Sequence, residues 1–311
     1  MSEVAISYEG HCAPGTLIKQ EYMDGSPGVK LNVVTFTPPT PQTLFALSPE
    51  PCALSSVLCA LGSLPCALSP TPHIVFLPGL ASVIDNFRET LIALTERHIV
   101  YYIETREKGS SLITGKVGFS IPSIASDLPI VIDKLGLQSG EYVLAGYSLG
   151  AAVVAASAGH IAAKPLATVL IEPSGTFKWP WWLLPVARYG IGLYPAIKPF
   201  IKWYMKKFHI NKDGDYEMYE INSRVLDQAD PRKLASAVIA IGDFEIWDYL
   251  NFIEPPCLVI GVSHDKFHSH DEASSIAEKI NGCDYVDVET NKRAHSAEVA
   301  VLMNEFLNKK R

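Results

Sequence analysis

The sequence predicts an α/β fold, a mostly parallel sheet with helices on both faces, interrupted by one helical insertion. Three observations lead there. From His73 onward, short unbroken apolar runs alternate with stretches of helical period, the pattern of parallel strands buried on both faces. Between residues 174 and 249 the alternation stops, and no apolar run there reads as a buried strand. It then resumes to the C-terminus, so the break falls between two strands of one sheet.

Composition narrows the class. With 311 residues, 48% of them apolar, the chain can bury a sizeable core. A formal charge of −7 and a pI near 5.7 give no general basic face for phosphate, which argues against a nucleic-acid binder. The opening MSEVAISYEG has no basic segment followed by an apolar one, so the expectation is a cytoplasmic, reduced protein. Cys12, Cys52, Cys59, Cys66, Cys257 and Cys283 show no C-x-x-C spacing and are expected as free thiols. The uncharged run Tyr142 to Ala163 is long enough to span a bilayer, but its Gly, Ser and His suit a buried strand followed by a buried helix better.

In chain order, Thr16 to Tyr22 and Leu31 to Thr37 read as strands of an opening hairpin joined at Asp24-Gly25-Ser26-Pro27-Gly28. A seven-residue repeat follows: Leu44 to Glu50, Pro51 to Val57, Leu58 to Leu64 and Pro65 to Thr71, keeping Ala-Leu-Ser or Ala-Leu-Gly in register. Its prolines break a helix and its cysteine spacing suits no local metal site, so it reads as an inserted surface loop at 41–72, the other reading being a lipidated or redox stripe. Strand His73 to Leu77, helix Ser82 to Arg97, strand Ile99 to Glu104 and helix Ile121 to Leu135 come next. Glu104-Thr105-Arg106-Glu107-Lys108, after the second of these strands, reads as a solvated charged loop, or else as a site for a polar substrate group. Strand Tyr142 to Tyr147, helix Gly150 to Ala162 and strand Ala167 to Ile171 lead into the insertion. Beyond it lie strand Cys257 to Val262, helix Asp271 to Ile280, strand Tyr285 to Val288 and helix Ser296 to Lys309.

The stretch with chemistry in it is Tyr142 to Ala152, YVLAGYSLGAA, where an apolar run ends in Gly146-Tyr147-Ser148-Leu149-Gly150 and a small-residue helix begins. A serine at the tip of such a turn is held in a sparsely allowed conformation that pushes its hydroxyl out of the sheet edge. The glycines two before and two after it let strand and helix approach closely. This G-x-S-x-G turn resembles the nucleophile elbow of the α/β-hydrolase superfamily, and the alternation from about residue 73 to the C-terminus, with the insertion as a helical cap, resembles its fold. The resemblance implies a core formed by 1–173 and 250–311 and a cap at 174–249. It also implies a chain order of Ser, then acid, then His, with no cofactor or metal. Ser148 is then the nucleophile. Asp265, in Ser263-His264-Asp265 after the strand Cys257 to Val262, stands where the family's acid lies, ahead of Asp243 and Asp248, which precede that strand. His295, just before the last helix, stands where the family's base lies. The loop spacing of His264, His268 and His270 offers no second ligand set for a metal. Oxyanion donors are expected from the N–H of Leu149 and from Leu80 in Pro78-Gly79-Leu80, where proline replaces a histidine common in the family. A serine nucleophile argues against the carboxylate-driven epoxide hydrolase and dehalogenase reactions of this fold.

Residues 177 to 212 hold four of the five tryptophans and carry Lys178, Arg188, Lys198, Lys202, Lys206, Lys207 and Lys212 without any acid. One reading packs the aromatics over the core; the other adds peripheral contact with an anionic membrane. Both make the pocket apolar, so the expected reaction is that of a serine esterase, lipase-like, on a small-molecule ester with a medium or long acyl chain. A transacylase, a C–C hydrolase, or a non-catalytic ligand receptor of the same fold are the alternatives. Because loop length enters stability only logarithmically, deleting residues 44 to 71 is expected to leave esterase activity within a few-fold of wild type and the melting temperature nearly unchanged. Loss of folding would mean that the Ala-Leu pairs pack on the core.

Overall fold

The computed structural model describes residues 8–39, 71–208, 223–254, 256–263 and 270–310. Strands β1 (Leu17–Asp24) and β2 (Val29–Thr37) form the opening antiparallel hairpin. Strands β3 (His73–Leu77), β4 (Val100–Glu104), the short β5 (Leu112–Ile113), β6 (Tyr142–Tyr147), β7 (Ala167–Ile171), β8 (Cys257–Gly261) and β9 (Cys283–Asp287) complete one sheet. Its order is β1-β2-β4-β3-β6-β7-β8-β9, with β5 pairing beside β2. The ladders from β4 to β9 are parallel, and only the hairpin and β5 run against them. The sheet is therefore mostly parallel, as the alternation implies.

Successive side chains on a strand face opposite ways, and the core divides accordingly. Ile74, Phe76, Val100, Tyr102, Val143 and Ala145 face helices α1 (Arg88–Thr95) and α10 (Ala297–Lys310). Val75, Leu77, Ile103 and Leu144 face α2 (Ile121–Ala125), α3 (Asp127–Lys134), α4 (Leu149–Ser157) and α8 (His270–Lys279). A one-residue slip of any central strand would exchange these two sets, so both faces enforce the register. Every residue of α4 is buried, which accounts for its lack of a polar face. The uncharged run Tyr142 to Ala163 is thus β6 followed by α4, and among the described residues no helix is long and apolar enough to cross a membrane.

Boundaries depart from expectation where a side chain claims the backbone. The helix expected over Ser82 to Arg97 begins as a 3-10 turn at Ile84–Phe87 and becomes α-helical only at Arg88, because residues 79 to 83 form a separate turn described below. The helix expected over Ile121 to Leu135 divides at Ser126, whose hydroxyl donates to the Ser123 carbonyl at 2.7 Å and competes with the helical ladder. Cys12, Cys257 and Cys283 are free thiols. Residues 44–70 of the repeat lie outside the described residues.

Between β7 and β8 the chain forms α5 (Leu183–Tyr189), α6 (Tyr194–Phe208), which contains Pro199, and α7 (Pro231–Ile241). Asp230 caps α7 by accepting from the N–H groups of Arg232 and Lys233, with Pro231 at the first helical position. Lys233 fastens that helix to the core, its ammonium lying 3.0 Å from the Lys108 carbonyl and 2.5 Å from that of Ser111.

The charged segment 104–108 corrects the sequence reading of a solvated loop: all five of its residues are buried, between 2% and 7% exposed. The reason is that nearly every charge has a partner. Glu104 accepts from Asn32 at 2.7 Å and from Ser110, and Glu107 accepts from Thr105 at 2.6 Å. Arg106 forms a two-pronged pair with Asp127, at 2.8 Å and 2.6 Å, and also donates to the Gly118 carbonyl. Asp127 in turn accepts from the backbone of Ser26 in the hairpin turn at 2.7 Å, so one carboxylate joins hairpin, β4 loop and α3. Removing one member of a buried pair strands the other. Asp127→Ala is therefore expected to cost about 3–5 kcal/mol, measured as a lower urea midpoint at unchanged slope.

Candidate active site

Ser148 lies between β6 and α4 with φ 49 and ψ −109, a conformation that costs a non-glycine residue about 1–3 kcal/mol. Its N–H continues the β6–β7 ladder to the Ile171 carbonyl at 2.8 Å, which holds the turn against the sheet edge. A Cβ on Gly146 would come within 2.4 Å of the Gly150 carbonyl oxygen, and one on Gly150 within 2.2 Å of the Leu77 oxygen. No side chain fits at either place, so the spacing of the two glycines is a packing requirement of the turn.

The other half of the edge is the turn after β3. Gly79 lies against Ser148, where an added Cβ would stand 3.3 Å from the serine Cβ. Ala81 has φ 48, so this turn too is held in an unusual conformation. What holds it is Lys108. Its buried ammonium donates to the Gly79 carbonyl, to the Ser82 carbonyl at 3.1 Å and to the Ser82 hydroxyl at 3.3 Å. Burial pulls the Lys108 pKa below its ordinary value, opposed by the nearby carboxylates of Glu107 and Glu104. The ammonium thus braces the turn through its carbonyls. Leu80 and Leu149, the expected oxyanion donors, sit on the two turns that meet at Ser148. A cavity of about 50 Å³ opens beside the Ala81–Val83 segment, lined also by Glu107, Lys108, Ser110 and Gln228.

His295 follows α9 (Asn291–Ala294), and its backbone carbonyl accepts from Thr90 on α1. Its ring packs on Tyr147, the residue before the serine, with centroids 4.5 Å apart, and stacks at 5.5 Å on Phe87. His295 Nδ1 lies 2.9 Å from the Asn291 carbonyl oxygen, which can only accept. The Nδ1 therefore carries the proton, and in the neutral ring Nε2 is left as the acceptor. Tyr147 Oη stands 3.1 Å from the same Nδ1 and donates its own proton to Glu172 Oε2 at 2.5 Å.

Of the residues chosen from sequence, Ser148 and His295 come to one edge through Tyr147, with Leu80 and Leu149 on the turns around the serine. Asp265 lies outside the described residues, as do His264 and His268. Sequence reasoning missed Lys108, Tyr147, Glu172 and Asn291. Glu172 carried a usable signal: it is the first residue after β7, at the carboxyl end of a buried parallel strand. Lys108 carried little, since its partners are backbone carbonyls that no motif marks.

Known structures share this arrangement of sheet and helices. The enol-lactonase from Burkholderia xenovorans LB400 is similar at a TM-score of 0.67 and 19% identity, over 93% of this chain and 100% of that one. A thermophilic esterase from Thermogutta terrifontis gives 0.65 at 16%, over 94% and 99% of the two chains, and a bromoperoxidase from Bacillus anthracis 0.70 at 15%, over 93% and 100%. At these identities the likeness is one of fold. No curated protein matches the chain in sequence. The model of a family described as the alpha/beta hydrolase family matches residues 74–297, from β3 to the start of α10, and the chain belongs to that family.

Proposed function

We propose that this protein hydrolyses a carboxylic ester through an acyl-enzyme on Ser148. The observation that carries the reading is the strained turn at Ser148 together with a histidine, packed on the preceding residue, whose proton is fixed on Nδ1. A serine hydroxyl needs a base, and the Nε2 of such a ring is one. Ser148 Oγ attacks the ester carbonyl as its proton passes to His295 Nε2. The N–H groups of Leu80 and Leu149 stabilise the oxyanion, and the imidazolium then protonates the departing alkoxide. Water repeats the sequence in reverse to free the acid. Asp265, which follows β8 in the sequence, is the acid assigned to the imidazolium.

The insertion, acting as the cap, supports an apolar acyl group. Leu80 packs against the buried cluster of Ala187, Ala235 and Val238 in the insertion, which Trp179 and Leu183 also border, so an acyl chain bound over the oxyanion turn meets hydrocarbon and indole. A second reading, peripheral membrane contact, has its own support. Trp181 is 88% exposed and Tyr189 81%, and Leu193, Phe200 and Trp203 are also exposed, beside the exposed cations Lys178 and Arg188. Lys198 and Lys202 contribute less to such a surface, because both pair with Asp227.

A fluorophosphonate probe is expected to label wild type and not Ser148→Ala; no labelling of folded wild type would favour the ligand-receptor alternative. In a p-nitrophenyl series from acetyl to palmitoyl, kcat/KM should rise beyond acetyl, and a strict acetyl preference would remove the acyl-chain reading. Flotation on anionic liposomes should weaken in Trp181→Ser/Tyr189→Ser if the exposed aromatics enter the interface. Lys108→Met should lower kcat about ten-fold or more, because it frees the turn that carries the Leu80 N–H.

A further inference from the structure

The reaction above leaves a buried acid at the same edge without a task. Glu172 is 1% exposed and has φ 46, so the chain holds a charged side chain away from water and a left-handed backbone at one position. Both are unfavourable, and such costs concentrate where function requires them. Its N–H bonds to the Ile260 carbonyl at 2.8 Å, extending the β7–β8 ladder by one residue and fixing Glu172 at the strand end. Its side chain meets donors: the Tyr147 hydroxyl at 2.5 Å and the Asn291 amide at 3.2 Å to each oxygen. Asn291 also offers its backbone carbonyl to His295 Nδ1, so the residues around Glu172 are the residues around the histidine.

We propose that Glu172, acting through the Tyr147 hydroxyl, is a positioning residue for His295. This inference rests on the acyl-transfer reading. Tyr147 donates a hydrogen bond to the carboxylate, so its phenol oxygen accepts from the Asn291 amide and from Nδ1–H, a proton it shares with the Asn291 carbonyl. When His295 takes the serine proton on Nε2, the positive charge on the ring strengthens that Nδ1–H bond, and the carboxylate behind the phenol increases the negative charge it meets. No proton leaves Tyr147 or Glu172; the only proton that moves goes from Ser148 to Nε2 and on to the leaving alkoxide. Glu172 thus adds a second acidic support for the imidazolium, on the strand β7, beside the support assigned to Asp265 after β8.

The charges around His295 bear on the test. Tyr147 comes from β6 and Glu172 from the end of β7. On the α9 side stand Lys292 and Arg293, the latter paired with Glu289 and Glu298. Helix α1 presents Thr90, with Arg88 and Glu89 exposed, and Asp287 ends β9 accepting from the N–H groups of Ser263 and Glu289. Only Glu172 among these reaches the ring through a shared hydroxyl, so its charge can be removed alone.

Kinetics against pH with a p-nitrophenyl ester, on wild type, Glu172→Gln, Tyr147→Phe and the double variant, test the proposal. Each single variant should lower kcat about ten-fold with KM within two-fold, and the double should be no worse than the singles, since both cut one path. The sign of the pH effect follows from the charge. A nearby carboxylate favours the imidazolium, so removing it should move the acid limb of kcat/KM to lower pH, by about half a unit. A purely structural role would leave that limb in place. Wild-type kcat and an unmoved acid limb, in variants that melt like wild type, would overturn the proposal, as would fully additive losses. If Glu172→Gln does not fold, Tyr147→Phe carries the test, because it keeps the ring that packs on Phe87 and His295. A wild type that fluorophosphonate does not label overturns the acyl-transfer reading itself; a labelled wild type with indifferent variants overturns this inference alone.

Discussion

The rest of the structure depends on the turn at Ser148. A serine at φ 49 is unfavourable by about 1–3 kcal/mol, and it persists only because what surrounds it leaves no alternative. On one side β6 is buried along its whole length; on the other every residue of α4 is. A single fully buried Val or Leu contributes about 1.5–3 kcal/mol, so packing of the two elements outweighs the strain several times over. The glycines at 146 and 150 set the distance at which that packing can occur, and the sheet order follows from it: β3 and β7 must flank β6, because the turn touches both.

Closing strand and helix on the serine brings a charged loop under the same roof. Segment 104–108 is buried because Arg106 and Asp127 satisfy each other and because Lys108 finds carbonyls on the turn after β3. The two cations do different work. Arg106 holds hairpin, loop and α3 together, and its loss acts on stability. Lys108 holds the shape of a turn that lies on Ser148, and its loss acts on the geometry of the N–H groups beside it.

The sheet was legible in the sequence because its strands are apolar without interruption and its helices keep their period. The turn at Ser148 was legible because the glycine spacing is a steric demand written locally. The placement of His295 beside Tyr147 was legible only through the order of elements, as a histidine just ahead of the last helix. Segment 104–108 was misread since composition marks a charge run as solvated, and its burial depends on Asp127 and on the carbonyls of Gly79 and Ser82, all distant in the chain. Glu172 escaped because its meaning depends on Tyr147, a position the G-x-S-x-G pattern leaves open. The helix start at 88 and the break at 126 differ for a similar reason, hydrogen bonds from side chains that periodicity does not register.

The insertion is fastened to the turn after β3 by two contacts, one apolar and one polar. The Leu80 side chain packs against Ala187, Ala235 and Val238, while its N–H belongs to the turn that meets Ser148. Lys233 of α7 donates to the carbonyl of Lys108, whose ammonium in turn holds the Gly79 and Ser82 carbonyls. Any displacement of α7 therefore reaches the turn along both its side-chain and its main-chain supports. Close-packed interiors transmit such shifts instead of absorbing them. A group that fits against the insertion would thus also set the shape of the turn beside Ser148.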